Sequence, residues 1–298
     1  MKIIQSFWSK PSLHSDTLLV DARFNGGWPH RIVNYYSWAF SCLQLCKLYK
    51  EVELVTDDIG KEILVDKMRL PYTNISLALN DIDSYNHGLW TFGKVWAYGS
   101  QNAPFLHVDH DVFLWKELEQ HVAGAALAAQ HLELKGQPYS KMFLHICDTF
   151  RNVPSYFRPL YDMGFSPSWN TGVFGGNNIP FIQSYCAEVY SFLNRNKADV
   201  ERAVKMSAGE FSVVIEQVIL YAYAKHLGED VNCLFPPCDS IPDEIGYFPL
   251  SGENKDFVHC VGGYKKDRIS YSFLEWKLKE YYPGYFERIN YLVADSQI

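Results

Sequence analysis

Two aspartates at the end of a short apolar run are the residues of this chain best suited to metal chemistry. Asp109 ends the predicted strand Phe105–Asp109, and Asp111 follows it in a D-x-D pattern. In an extended chain, side chains two residues apart point to the same side, so both carboxylates can share one divalent cation. The alternative is a capped turn, because Asp also favours helix starts.

A second group of chemically useful residues lies near the carboxyl end, in the spacing H-x-x-G-x-x-K. His259 supplies an imidazole ligand, Gly262 allows close approach of the backbone, and Lys265 can neutralise phosphate charge. The alternatives are a hydrogen-bonded core histidine and a solvated surface pair, Lys265 with Lys266. The spacing is suited to a phosphate bound beside a metal ion.

Three further polar residues stand in otherwise apolar segments. Lys94 lies on the helix before the D-x-D, from which it could reach a phosphate. Asn170 could place an amide beside a sugar, although a glycine-rich turn explains the same residues. Glu216 lies in an apolar helix, where burial of its charge requires a partner. A helix salt bridge or an exposed position is the alternative for this acid.

The elements that position these residues alternate between short apolar runs and helical stretches. This alternation predicts one continuous, layered α/β domain with a mainly parallel sheet in its first half. The predicted strands are Lys2–Phe7, Glu51–Thr56, Asn74–Leu79, Phe105–Asp109, Gly124–Gln130, Asn170–Gly176, Asp230–Phe235 and Phe257–Cys260. The predicted helices include Arg31–Tyr49, Leu89–Tyr98, Pro180–Asn194, Gly209–Leu227 and Ser272–Val293, the last with a break near Pro283-Gly284, whereas Gln137–Pro167 is expected to be irregular.

Composition excludes several classes of protein. Hydrophobic residues make up 48% and charged residues 20% of the 298 residues, which is typical of a globular protein and not of a disordered chain or a coiled coil. A net charge of -7 argues against nucleic-acid binding. The longest small-apolar run, Val122–Ala129, is far shorter than the ~20 residues of a membrane span. Seven cysteines without a C-x-x-C spacing favour a soluble, cytoplasmic protein with reduced thiols.

The order of these motifs resembles a known family, the glycogenin-like and bacterial lipooligosaccharide galactosyltransferases of the GT-A fold. The resemblance extends from about residue 30 to residue 268 and includes the motifs at Lys94, Asp109-x-Asp111, Asn170-Thr171-Gly172-Val173, Glu216-Gln217 and His259-x-x-Gly262-x-x-Lys265. It implies a GT-A (nucleotide-diphospho-sugar transferase) fold, with three α/β/α layers around a mixed, mainly parallel central sheet. It also implies a single domain over residues 1–298, with residues 1–130 as the nucleotide-binding half and residues 131–298 as the acceptor side and C-terminal helices.

The same resemblance implies a role for each motif residue. Mn²⁺ (or Mg²⁺) would be held by Asp109, Asp111 and His259. The donor diphosphate would contact Gly262 and Lys265, with Lys94 at the donor phosphate or sugar. Asn170 would contact the donor sugar near the reaction centre, and Glu216 takes the place of a family Asp that contacts the sugar and has been considered in the mechanism, so these two are the candidate catalytic residues. Two further departures are His110 between the aspartates and Lys266-Asp267 where the family commonly has Pro-Trp.

The expected function is that of a metal-dependent glycosyltransferase of the hexosyltransferase type. It would move a sugar from a nucleotide-diphosphate sugar, UDP-sugar favoured, to a saccharide or glycolipid acceptor, with retention of configuration. No integral membrane segment is expected, and peripheral membrane contact is left open. The alternatives are a non-catalytic nucleotide-sugar-binding protein of the same fold and a metal-dependent nucleotide-sugar phosphohydrolase.

Overall fold

The computed structural model describes residues 1–13, 25–134, 139–239, 241–250 and 256–298. The strands are β1 Lys2–Phe7, β2 Val52–Thr56, β3 Asn74–Ser76, β4 Phe105–Val108, β5 Val112–Leu114, β6 Ala128–Glu133, β7 Ser168–Gly176, β8 Asn232–Cys233 and β9 Phe257–His259. The α-helices are α1 Lys10–Leu13, α2 Arg31–Leu48, α3 Asp58–Lys61, α4 Phe92–Gly99, α5 Gln120–Ala123, α6 Tyr139–Thr149, α7 Arg158–Met163, α8 Ile179–Arg195, α9 Lys197–Val213, α10 Ile219–Leu227, α11 Asp243–Gly246, α12 Gly263–Lys266, α13 Arg268–Tyr281 and α14 Pro283–Ala294. The 3-10 turns are Ala78–Ile82, Ser155–Phe157 and Phe248–Leu250, and the π-helical turns are Glu62–Lys67 and Val214–Val218.

The chain divides into two compact units, each built from separated segments. The terminal unit comprises Lys2–Asn80, Val108–Leu118 and Ile241–Ile298, and the central unit comprises Asp81–His107 and Glu119–Ser240, with Met1. The D-x-D segment, which follows β4 along the chain, therefore belongs to the terminal unit.

The terminal unit contains three parallel strands in the order β3-β2-β1 and a separate antiparallel pair, β5 with β9. Every residue of α2 from 33 to 45 is buried, so this helix is enclosed on all sides. Its Phe40 ring contacts the rings of Phe113, Phe248 and Tyr282. Because α2 is enclosed, its polar residues need partners within the protein, and several of these partners lie beside the D-x-D segment.

The central unit has its strands in the order β4-β7-β6-β8. β6 pairs antiparallel with β7 and parallel with β8. All nine residues of β7 are buried, and the side chains of its polar residues Asn170 and Thr171 donate hydrogen bonds to Glu133 and Glu216. α8 begins at a side-chain cap, in which Asn178 accepts a hydrogen bond from the backbone N–H of Phe181 at 3.2 Å.

The prediction of a mixed α/β protein with mainly parallel strand pairing is confirmed. Most predicted elements occur within a few residues of their expected positions. The prediction of irregular structure over Gln137–Pro167 is wrong, because α6 and α7 lie in this segment; Gln137 and Pro138 lie outside the described residues. The predicted strand Gly124–Gln130 begins only at Ala128. Among the described helices, none combines the length and apolar character needed to cross a membrane.

Candidate functional site

The D-x-D segment is the turn between two buried strands of different sheets. Asp109 follows the last residue of β4, and the backbone N–H of Val112 donates to the carbonyl oxygen of Asp109 at 3.0 Å, which closes the turn. Asp111 is buried and Asp109 is half-buried. The alternative of a helix cap does not apply here, since β5 follows the two aspartates directly.

Pairing of β5 with β9 brings the distant histidine to the aspartates. His259 lies opposite Val112 in this antiparallel pair, and the backbone N–H of Cys260 donates to the carbonyl oxygen of Asp111 at 2.9 Å. The ligand atoms of Asp109, Asp111 and His259 consequently lie within 4.8 Å of one another. His259 Nε2 is 3.5 Å from Asp111 Oδ1. The three predicted metal ligands thus form one cluster.

The chemistry of this cluster fits a divalent cation. Two carboxylates and one imidazole form a mainly oxygen donor set, which suits Mn²⁺ or Mg²⁺ better than zinc. Asp111 Oδ1 is buried, and apart from the long 3.5 Å contact with His259 Nε2 it accepts no hydrogen bond from the described residues. Burial of a weakly partnered carboxylate oxygen is unfavourable, and a bound cation would compensate it.

Lys265 is the charge partner of the buried aspartate. Its Nζ lies 2.6 Å from Asp111 Oδ2 and donates to the carbonyl oxygen of Gly26 at 2.7 Å. Burial alone would raise the pKa of Asp111, but the charges of Lys265, His259 and His110 hold this pKa well below its usual range. Asp111 is therefore anionic in the folded protein and available as a metal ligand.

Gly262 forms the backbone turn before α12, the short helix that contains Lys265. It has φ +57° and ψ -120°, a conformation that favours glycine, and α12 with Lys265 begins at the next residue. The H-x-x-G-x-x-K spacing therefore has a local structural reason. It places strand, turn and short helix in succession, with the histidine and the lysine at the same aspartate.

The segment Asn25–Trp28 completes the surroundings of Lys265 and was missed by sequence analysis. Gly26 and Gly27 both have positive φ, at +60° and +88°. Gly27 lies so close to Lys265 that a Cβ atom there would be 3.1 Å from Lys265 Cδ. The Trp28 ring centroid is 5.6 Å from Lys265 Nζ, a cation–π contact. Adjacent glycines between Asn and Trp were the available signal for this turn.

His110, the residue between the two aspartates, contacts α2 through both its side chain and its backbone. Its ring stacks on Trp38 of α2, with centroids 4.5 Å apart and planes 7° from parallel. Its carbonyl oxygen accepts a hydrogen bond from Ser37 Oγ at 2.8 Å. The bulky side chain at this position is therefore accommodated by a tryptophan, which sequence analysis did not connect with the D-x-D.

A second group of predicted residues lies in the central unit around Glu216. This acid is 1% exposed and lies on the π-helical turn Val214–Val218. Its Oε1 atom is 2.8 Å from Lys94 Nζ and accepts hydrogen bonds from Thr171 Oγ1 at 2.8 Å and Tyr98 OH at 2.9 Å. Burial of Glu216 is thus compensated at Oε1, whereas Oε2 is buried and accepts no hydrogen bond from the described residues. Lys94, expected at a phosphate, is the ion-pair partner of Glu216.

Asn170 is held by an acid that sequence analysis did not single out. Its Nδ2 donates to Glu133 Oε1 at 3.1 Å, and its Oδ1 accepts from the backbone N–H of Gly172 at 3.0 Å. Glu133 also accepts a hydrogen bond from Tyr139 OH. Burial and the neighbouring charge of Glu133 raise the pKa of Tyr139. A single acid at a strand end gives no sequence signal that connects it with Asn170.

Comparison with known proteins gives distant structural likenesses. The chain is similar to the glycosyltransferase GlyE of Streptococcus pneumoniae TIGR4, with 10% identity and a TM-score of 0.44, and to its apo form, with 12% identity and a TM-score of 0.43. In both cases 99% of this chain matches 64% of GlyE, so the chain spans just under two thirds of GlyE. It is also similar to mouse xyloside xylosyltransferase 1 in its apo form, with 10% identity, a TM-score of 0.38, and coverage of 87% of this chain and 96% of that one.

At such low identities and TM-scores, these likenesses establish neither a shared substrate nor a shared activity. A search of curated proteins gave no match. A family model, described as a family of unknown function (DUF6734), matches residues 1–292. The chain therefore belongs to the DUF6734 family.

Proposed function

We propose that this protein is a metal-dependent glycosyltransferase of the GT-A type that uses a nucleotide-diphosphate sugar as donor. The observation that carries the proposal is the cluster of Asp109, Asp111 and His259, with Lys265 at the same aspartate. These are the residues, in the order along the chain, that the family resemblance assigns to the metal and the diphosphate. A chain that retains this set retains the groups needed to bind a metal–diphosphate.

The chemical problem in glycosyl transfer is the negative charge that the leaving nucleoside diphosphate gains. A divalent cation, when bound, supplies charge stabilisation at the diphosphate. Asp109, Asp111 and His259 would hold it, and the Lys265 ammonium group would bind a phosphate oxygen as a charged donor. Since Lys265 now pairs with Asp111 and the Gly26 carbonyl, phosphate would replace or share these contacts.

The central unit supplies the proposed sugar contacts. Asn170 has its amide oriented by Glu133 and by the backbone N–H of Gly172, so it presents a fixed group to a ligand. Glu216, whose Oε1 lies 2.8 Å from Lys94 Nζ, would contact the donor sugar, and Lys94 would lie at the donor phosphate or sugar. We assign the acceptor side to residues 131–298 and the nucleotide-binding half to residues 1–130, within one GT-A domain. Retention of configuration, a UDP-sugar donor and a saccharide or glycolipid acceptor are parts of the same proposal.

Thermal unfolding tests the donor class and the metal site together. UDP, GDP, CMP and their sugars are each added with Mn²⁺ and, separately, with EDTA. A ligand at ~100 times its dissociation constant stabilises the folded state by about 2.7 kcal/mol, which raises the unfolding midpoint by a few degrees. The expected result is a shift with one nucleotide that disappears in EDTA. Equal shifts with and without EDTA would contradict metal-dependent binding.

Product analysis then separates transfer from its alternatives. The nucleotide sugar identified by unfolding is incubated with Mn²⁺, with and without a panel of saccharide acceptors. A transferase forms a new glycoside that depends on the acceptor, whereas a phosphohydrolase releases sugar phosphate and nucleotide without one. Binding without either product would identify a non-catalytic nucleotide-sugar-binding protein.

A further inference from the structure

Helix α2 carries a row of buried polar side chains along the face that meets the D-x-D segment and β5. The row consists of Ser37, Ser41 and Gln44, which are nearly or fully buried. Each donates a side-chain hydrogen bond of 2.8 Å to a backbone carbonyl oxygen: Ser37 to His110, Ser41 to Val112 and Gln44 to Leu114. These three side chains of one helix face thus bind every second carbonyl from His110, in the D-x-D turn, to Leu114, at the end of β5.

The turn that contains the D-x-D and the strand β5 after it therefore lie along one face of α2. Ser41 Oγ is also 3.5 Å from the carbonyl oxygen of Asp109, so its hydroxyl lies near the carbonyls at both ends of the turn, those of Asp109 and Val112.

The carbonyl groups of His110 and Val112 do not face β9, so pairing of β5 with β9 cannot give them a hydrogen-bond donor. Successive carbonyls of a strand point to opposite edges, and the carbonyl of Asp111 points toward β9, where it accepts from the N–H of Cys260. The carbonyls of His110 and Val112, on either side of it, point toward α2. An unmade hydrogen bond at a buried carbonyl is costly, so the serine hydroxyls fix the position of this edge.

A glutamine of β1 extends the same network to the other side of the first aspartate. Gln5 is fully buried, and its Nε2 lies 3.0 Å from Ser41 Oγ and 3.3 Å from the carbonyl oxygen of Val108. Its Oε1 accepts from Tyr72 OH at 2.8 Å, which fixes the orientation of the amide. Backbone carbonyls immediately before Asp109 and on both sides of Asp111 are therefore held by buried side chains.

We propose that Ser37 and Ser41 are positioning residues of the metal site, which set its affinity by fixing the backbone from which Asp109 and Asp111 project. The inference rests on the proposed metal site and adds residues that the motifs do not contain. Neither serine is a ligand. Each acts through a backbone carbonyl adjacent to Asp111, and outer groups that orient metal ligands typically change metal affinity by about 10- to 100-fold.

The central unit offers a matched control. Ser212 is fully buried and its Oγ donates to the carbonyl oxygen of Gly88 at 2.9 Å, the same type of bond. Removing this hydroxyl costs a comparable hydrogen bond without touching the D-x-D segment. Gln44 provides a second control within the row itself, because it binds the carbonyl of Leu114, three residues beyond Asp111.

The experiment measures Mn²⁺ affinity by calorimetric titration of full-length wild type, Ser37→Ala, Ser41→Ala, Gln44→Met and Ser212→Ala. Thermal unfolding in EDTA reports the structural cost of each change separately. We expect Mn²⁺ affinity to fall by about tenfold for Ser37→Ala and Ser41→Ala, less for Gln44→Met, and not at all for Ser212→Ala. The electron paramagnetic resonance spectrum of bound Mn²⁺ should change most in the two serine variants and not at all in Ser212→Ala.

Two results would overturn the inference. Wild-type affinity in both serine variants would show that the hydroxyls serve the fold alone. An equal loss in Ser212→Ala would assign the effect to general destabilisation. If the wild type itself binds no Mn²⁺, the proposed metal site is wrong and the positioning role is wrong with it. If the wild type and the serine variants bind Mn²⁺ equally, only the positioning role is wrong.

Discussion

Lys265 Nζ lies 2.6 Å from Asp111 Oδ2, although the two residues come from segments far apart in the chain. Both side chains are nearly buried, at 8% and 7% exposed. The contact joins the D-x-D to the H-x-x-G-x-x-K within one compact unit. The Asp111 carboxylate of the candidate metal site is thus paired with a lysine that also donates a hydrogen bond to the carbonyl oxygen of Gly26.

Removing this lysine should destabilise the metal-free protein. Breaking a buried ion pair by loss of one partner costs about 3–5 kcal/mol, because the other charge stays buried. We expect Lys265→Met to lose about 3 kcal/mol of unfolding free energy in urea, and Mn²⁺ to restore part of it. Lys266→Met, the exposed neighbour, is the control and should unfold like wild type. Equal stabilities of all three metal-free proteins would contradict the importance of the pair.

The same pair predicts a pH dependence of stability. The folded-state pKa of Asp111 is depressed, so its contribution to stability is fully present above its unfolded pKa of about 3.9 and is lost as pH falls through the folded value. The stability difference between wild type and Lys265→Met should therefore be largest above about pH 4 and shrink in more acid solution. Urea unfolding of metal-free protein across this range measures it. A difference that grows toward acid pH would have the wrong sign.

The turn at Gly26 should resist any side chain. Gly26 has φ +60°, and an added Cβ would meet Asn34 Oδ1 at 2.3 Å. Gly164 has φ +73°, and a Cβ atom added there would have no other atom within 4 Å, so Gly164→Ala would introduce backbone strain without a clash. Strain of this kind costs roughly 1–2 kcal/mol, and a clash in a packed site adds about 1–3 kcal/mol. Gly26→Ala should therefore destabilise the protein more than Gly164→Ala in thermal unfolding; equal costs would show that Asn34 moves aside freely.

Lys94 and Glu216 should be energetically coupled. Their contact of 2.8 Å is buried, and each residue alone would leave an uncompensated charge. A double-mutant cycle with Lys94→Met and Glu216→Gln should give a coupling of about 1–3 kcal/mol, with the double variant more stable than additivity predicts. The exposed pair Arg158 and Asp162 is the matched control and should show no measurable coupling. Additive losses at Lys94 and Glu216 would show that the two side chains act independently.

The metal cluster was accessible from sequence because its residues form local motifs. The D-x-D directly follows a strand, and Gly262 and Lys265 lie three and six residues after His259. Both motifs can therefore be recognised without knowledge of the tertiary structure. The pairing of Val112 with His259, which makes the two motifs one site, depends on a tertiary contact that local spacing does not encode. Only the order of motifs in a resembling family indicated it.

The features missed from sequence depend on long-range packing. α6 was overlooked in a segment rich in Pro, Tyr and Phe, although Tyr139, Met142, Phe143 and Ile146 recur at helical spacing and are buried. Serines in a hydrophobic helix look like ordinary small residues. Their role at the D-x-D became visible only when the carbonyls they bind were known.

The central claim is that Asp109, Asp111 and His259 hold the cation through which a nucleoside diphosphate binds. Calorimetric titration of UDP into full-length wild type, with Mn²⁺ and with EDTA, tests it directly, with Asp111→Asn as the variant and Asp162→Asn, an exposed acid, as its control. We predict saturable UDP binding by wild type and Asp162→Asn in Mn²⁺, and a loss of at least about tenfold in affinity in EDTA or in Asp111→Asn. UDP binding of equal strength under all these conditions, or no UDP binding to wild type in Mn²⁺, would contradict the account.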